Sequence, residues 1–174
     1  SQDVWQNAKP LMQQLVEQLN ESCSAAVLEG EDVVYVGRVA TTKRVMSVSL
    51  NVGTRLPAFA TSLGRVLLAD MKGEVLDDFL STCRIEQYTE FTLTDKADLV
   101  EEISQVSQQG YSLVDQELEL GLTSISVPVR NQVGKVLGAL SISTHISQTT
   151  KQQVLTSILP ALKACAAAIE QLTY

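Results

Sequence analysis

Val4, Trp5, Ala8, Leu11, Met12, Leu15, Val16 and Leu19 recur at three- and four-residue steps, which predicts an N-terminal helix with one broad apolar face. Pro10 lies inside that pattern, so the helix either begins near it or runs past it with a kink. The period then changes. Runs rich in Val, Ala and Tyr at 24–29 and 33–39, separated by Gly30-Glu31-Asp32, predict a β-hairpin. Met46, Val48, Leu50 and Val52 alternate with Ser47, Ser49 and Asn51 and predict another strand, buried on one face. Thr41-Thr42-Lys43-Arg44 reads as the loop between them, its two cations better explained as a solvated turn than as a lure for an anion.

Gly53 and Pro57 break the alternation, and Thr61 or Ser62 supplies a capping oxygen for a helix whose apolar side is Val66, Leu67 and Ala69. The N–H groups around Ser62, Leu63 and Gly64 have no carbonyl partner within that helix, an end that attracts an anion, and Gly64 is expected to leave room for a ligand. Val75, Leu76, Phe79 and Leu80 predict a second short helix, followed by an irregular polar stretch to Phe91. A third helix, capped by Thr94 or Asp95 and ended by Gly110, turns Leu99, Val100, Ile103 and Val106 inward.

Three more strands are predicted at 111–115, 123–130 and 135–143, the last two joined by a turn through Asn131-Gln132-Val133-Gly134. Pro128 lacks a ladder donor, which places it at an edge or a bulge. A final helix is expected to open at Ser147, with Val154, Leu155, Ile158, Leu162, Cys165, Ile169 and Leu172 on one side and a kink at Pro160. Helices at both ends of a set of about six strands predict an α+β fold, a sheet sandwiched between helices.

Candidate chemistry lies in the late strands. Ser124 and Ser126 share one face, opposite Ile125, Val127 and Val129, and Ser141 and Ser143 oppose Leu140 and Ile142. Two readings are open: a hydroxyl-lined pocket facing the Ser62 helix, or the solvent face of an antiparallel sheet.

Composition narrows the function. With 174 residues, 45% hydrophobic and 19% charged, the chain fits one domain with a sizeable core. The net charge of −7 and the scatter of the 13 basic residues oppose binding to a phosphate backbone. No apolar run approaches the length of a membrane span and no signal-peptide pattern opens the chain, so no membrane partner and a cytoplasmic location are expected. Cys23, Cys83 and Cys165 form no C-x-x-C pair and read as buried or incidental thiols. His145 is the sole histidine and sits at a strand-to-helix junction. There is no G-x-S-x-G elbow, phosphate-binding glycine loop or histidine set for a metal, so neither catalysis nor a cofactor nor a metal is expected. A carboxylate-only metal site stays open, although Asp77-Asp78 and Glu101-Glu102 read as solvated helix faces.

The segment Leu56-Pro57-Ala58-Phe59-Ala60-Thr61-Ser62-Leu63-Gly64-Arg65-Val66-Leu67-Leu68-Ala69 resembles the helix motif of the isocitrate-lyase-regulator (IclR) family of bacterial transcription factors. Gly121-Leu122-Thr123-Ser124-Ile125-Ser126-Val127-Pro128-Val129-Arg130, followed by Gly134, resembles that family's second signature. Val52 to Pro57 and Val114 to Leu122 are similar to the branch that regulates protocatechuate and β-ketoadipate catabolism. The resemblance covers essentially the whole chain. It implies a GAF-like effector-binding domain, with a mainly antiparallel sheet flanked by helices, cut from a regulator whose N-terminal winged helix-turn-helix domain is absent here.

On this resemblance Ser62 and Leu63 on the helix, Asp115 before the second signature, Ser124 within it, and Ser141 and Ser143 after it contact the effector, while Val45, Val48 and Leu56 furnish apolar wall. Asp115 has the alternative role of anchoring the turn that leads to Gly121. The implied effector is a small organic acid such as protocatechuate or β-ketoadipate, its carboxylate at the start of the motif helix. DNA is contacted only through the absent domain, and the assembly is a homodimer or homotetramer. Trp5 would then mark a surface next to that domain, the alternative being that it packs on its own. A small-molecule enzyme and a pure oligomerisation module are the competing functions.

Overall fold

The computed structural model describes residues 2–42 and 50–173. Helix α1 (Gln2–Leu19) continues through Pro10, so the longer of the two expected helices is the one formed. Strands β1 (Ser22–Glu29) and β2 (Asp32–Val39) make the hairpin, closed by Gly30 at φ 61 and Glu31, with Glu29 opposite Asp32. The strand expected over 46–52 falls mostly outside the described residues. Within them Leu50 is buried, Val52 is 65% exposed, and β3 is instead the short Arg55–Pro57, paired with β2. A 3₁₀ turn (Ala58–Ala60) leads into α2 (Ser62–Leu68), and α3 (Gly73–Thr82) and α4 (Lys96–Gln109) follow. Asp95 caps α4 by accepting from the Asp98 N–H, and Gly110 ends it at φ 82. Leu99, Ile103 and Val106 are buried as expected, whereas Val100 is 38% exposed because it lies one position off that stripe.

Strands β4 (Ser112–Asp115), β5 (Leu122–Arg130) and β6 (Val136–His145) complete a six-stranded, wholly antiparallel sheet in the order β3-β2-β1-β6-β5-β4. Pro128 pairs with Ala139 on β6 but lies past the end of β4, so its missing N–H faces no neighbour on that side, and the register shifts one residue later at Val129/Arg130. The last helix, α5 (Lys151–Glu170), opens at Thr150 and not at Ser147, because Thr150 and Gln153 form a reciprocal capping box. A π turn over Val154–Ile158 lies just before Pro160, the position where a kink was expected.

The sheet separates two cores. On one face α1 and α5 cover Cys23, Ala25, Ile125, Val127, Leu140 and Ile142. Trp5 belongs to this core at 6% exposure, and Gly138 makes room for it, since a Cβ there would lie 2.7 Å from the indole ring. Packing on its own domain is therefore the correct reading of Trp5. Helix α5 is long and apolar enough by composition to cross a bilayer, but Val154, Ile158, Leu162 and Ile169 are buried in this core. On the other face α2 and α4 pack Leu63, Val66, Leu67, Leu99, Ile103 and Val106 over Ala26, Val33, Tyr35 and Ala139. Helix α2 therefore starts inside the molecule, above the middle of the sheet.

Candidate functional site

Thr61 caps α2, its hydroxyl accepting from the Gly64 N–H at 3.0 Å. Gly64 itself serves packing and not ligand approach: a Cβ there would lie 2.0 Å from the Ala58 carbonyl oxygen, so the absent side chain lets the 3₁₀ turn lie against the helix. Arg65 is 0% exposed; Nε donates to the Phe59 carbonyl, while Nη1 and Nη2 donate to the two Glu117 oxygens at 2.7 and 2.6 Å. Glu117 also accepts from the Leu93 N–H, and its carbonyl accepts from Thr92 Oγ1. One ion pair thus joins α2, the segment before α4 and the β4–β5 loop. Neither Arg65 nor Glu117 stands out in the sequence, because an Arg on a helix reads as its solvated side.

The serine faces of the late strands do adjoin and do face α2. Ser124 is opposite Ser143 and Ser126 opposite Ser141, and the Ser62 hydroxyl lies 2.8 Å from Ser124 Oγ and 2.7 Å from Ser126 Oγ. Ser62, Ser126 and Ser141 are buried, which removes the solvent-face reading. The pattern continues onto elements that the sequence did not single out: Ser141 is opposite Ser24 and Ser143 opposite Ser22 on β1, and Ser126 is opposite Ser112 on β4. Alternation of Ser22 and Ser24 with Cys23 and Ala25 was the available signal, concealed by a short run that reads equally well as plain hairpin.

A cavity of about 30 Å³ lies here, bounded by Ser62, Ser124, Ser141 and Ser143 and closed by Tyr35 and a leucine wall that includes Leu56 and Leu63. Such a volume admits water but not an aromatic ring, so a ring-sized ligand displaces side chains as it enters. Of the nine expected contact residues, Ser62, Leu63, Ser124, Ser141, Ser143 and Leu56 come together at this cavity. Val45 and Val48 lie outside the described residues. Asp115 does not join them. Its neighbour Val114 points into the cavity, so alternation turns Asp115 to the other face, where its Oδ1 accepts from Thr123 Oγ1 at 2.9 Å.

Burial raises the pKa of the Tyr35 phenol, with nearby Arg38 acting in the opposite sense. His145 ends β6, its Nδ1 2.8 Å from Ser147 Oγ, as a junction residue. Among the described residues no three His, Cys, Asp or Glu side chains converge in a way that would hold a metal ion.

The six-stranded antiparallel sheet with helices on both faces is the fold of effector-binding domains of bacterial regulators. The chain belongs to the family of bacterial transcriptional regulator IclR C-terminal domains, whose profile matches residues 1–171. It is 44% identical over 158 residues to the Pca regulon regulatory protein of Pseudomonas putida, covering 91% of this chain and 54% of that protein. It therefore spans a little over half the length of that curated relative. A transcriptional regulator from Rhodococcus sp. RHA1 superposes with a TM-score of 0.92 at 39% identity, over 97% of this chain and 68% of that one. The inducer-binding domain of PobR from Acinetobacter, a double mutant solved with 3-hydroxybenzoic acid, gives 0.90 at 31% identity, over 97% of this chain and 98% of that domain.

Proposed function

We propose that this domain is the effector sensor of an IclR-type regulator, and that the cavity between Ser62 and the serines of β5 and β6 receives a small organic acid from aromatic catabolism, with protocatechuate and β-ketoadipate the first candidates. The observation that carries this is the convergence of buried hydroxyls from α2, β5 and β6 beside a leucine wall, which supplies donors and acceptors for ligand oxygens and an apolar seat for its carbon frame. A relative that is 32% identical over 160 residues is named a p-hydroxybenzoate hydroxylase transcriptional activator, and one related inducer-binding domain is described with 3-hydroxybenzoic acid. In this reading the ligand replaces the bonds that Ser62 makes to Ser124 and Ser126. Its bulk then presses on Leu118 in the loop that Glu117 ties to Arg65, which gives binding a mechanical outlet.

The full regulator would hold a further DNA-binding domain, work in the cytoplasm and pair as a homodimer or homotetramer, contacting DNA only through that other domain. Catalysis has no support in the site, since the serines bond to one another and His145 stands at the end of β6. A thermal-shift and calorimetry series over benzoates, dihydroxybenzoates and aliphatic dicarboxylates tests the reading, because a ligand selective for the folded state raises the melting temperature. Turnover of any of these acids, or a complete lack of binding, would overturn it. Light scattering at micromolar concentration tests the assembly, and a strict monomer would overturn that part.

A further inference from the structure

We propose that Arg38 is the charge partner of the ligand's anionic group, so that the site selects small acids over their neutral analogues. The inference rests on the reading of the cavity as a ligand site and adds the residue that sets its charge preference.

Register fixes the placement. Arg38 on β2 is opposite Ser24 on β1, Ser24 is opposite Ser141 on β6, and Ser141 is opposite Ser126 on β5. One row therefore carries a guanidinium at its β2 end and hydroxyls across the next three strands, on the same sheet face as the cavity. Arg38 Nη1 donates to Ser24 Oγ at 2.8 Å, so the guanidinium leans over β1. That brings it within about 5 Å, one strand spacing, of the Ser141 row position. A ligand that spreads the side chains of the cavity would set its acid at Arg38 and its other oxygens on Ser141 and Ser143.

Electrostatics indicates that the guanidinium lacks a counter-charge among the described residues. Arg55, Arg65 and Arg84 each hold a carboxylate, whereas Arg38 has none among the described residues. Its Nε is buried without a hydrogen-bond partner there. Acidic residues are not scarce in a chain with 20 of them against 13 basic ones, so the omission is local. Burial lowers the Arg38 pKa from its ordinary value, the mark of a cation that has lost water without gaining a counter-charge. A planar fork with a free Nε–H is suited to two-point contact with a carboxylate. The charge then sits on the β1–β2 side, away from the start of α2, where the sequence had suggested it.

The test compares calorimetric affinities of the parent, Arg38→Met, Arg38→Lys and the double variant Ser141→Ala/Ser143→Ala for 3-hydroxybenzoate, 3,4-dihydroxybenzoate and adipate, and for 3-hydroxybenzamide as the neutral analogue. Arg38→Met is expected to weaken acid binding by about ten- to a hundredfold while leaving the amide unchanged, with Arg38→Lys in between. If folded Arg38→Met keeps the preference for acid while the serine double variant loses binding, the inference falls and the site reading stands. Equal loss of acid and amide would mark Arg38 as purely structural and also overturn it. Should Arg38→Met fail to fold, Arg38→Lys carries the decision: weaker acid binding with the amide unchanged supports the inference, and acid affinity equal to the parent's overturns it. If the parent binds none of the acids, both readings fail.

Discussion

Arg65 and Glu117 form a two-point ion pair, with nitrogen–oxygen distances of 2.7 and 2.6 Å, under a fully buried guanidinium. The pair stitches the helix that opens the candidate site to the loop that carries Leu118 into its wall. Removing one partner leaves a charge stranded in the core. Glu117→Ala is expected to cost about 3 to 5 kcal/mol in urea unfolding, and the double variant Arg65→Met/Glu117→Leu much less than the sum of the singles. Additive losses would mean that the two side chains act independently.

Gly64→Ala tests a contact made only of backbone. A Cβ at 2.0 Å from the Ala58 oxygen forces the 3₁₀ turn off α2, so the variant should lose at least about 1 to 3 kcal/mol or fail to fold. Gly134→Ala is the control. It has open space and only a positive φ of 89 to strain it, and its cost should be near 1 kcal/mol. Equal melting temperatures for the two would refute the packing role of Gly64.

The hydroxyl rows give a binding prediction. Ser141→Ala with Ser143→Ala keeps the strand and removes two oxygens from the cavity wall, each worth about 0.5 to 1.5 kcal/mol to a ligand. Affinity for the effector found in the screen should fall about tenfold or more. An unchanged dissociation constant in calorimetry would remove these serines from the site.

The thiols should differ in reactivity. Burial pushes Cys165 up to about 11 and raises Cys23 well above the ordinary thiol range, while Cys83 is raised but half-buried. Near pH 8, Ellman's reagent should label Cys83 first and reach Cys23 and Cys165 only on unfolding. Because folding raises these pKa values, their contribution to stability is complete below the unfolded thiol pKa of 9.0 and fades as pH climbs toward 11. Fast labelling of all three thiols in the native protein would contradict this.

Much of the molecule was legible in the chain because periodicity reports burial directly. The eight apolar positions from Val4 to Leu19 all lie on the buried or half-buried side of α1, the hairpin closes at Gly30-Glu31, and the serines of β5 and β6 share the face that their alternation assigned. The cap at Thr61 was equally local, since it needs only an oxygen three residues before a free N–H. What alternation leaves open is which face looks at solvent. Only α2, laid across the sheet, made the serine face an interior one. Contacts between distant segments were decided by tertiary structure alone: Arg65 with Glu117, 52 residues apart, Gly64 against Ala58, Trp5 over Gly138, and Arg38 brought by register into line with Ser24 and Ser141. A charged or small residue carries no periodic mark of its future neighbour, so its role appears only when the chain has closed on itself.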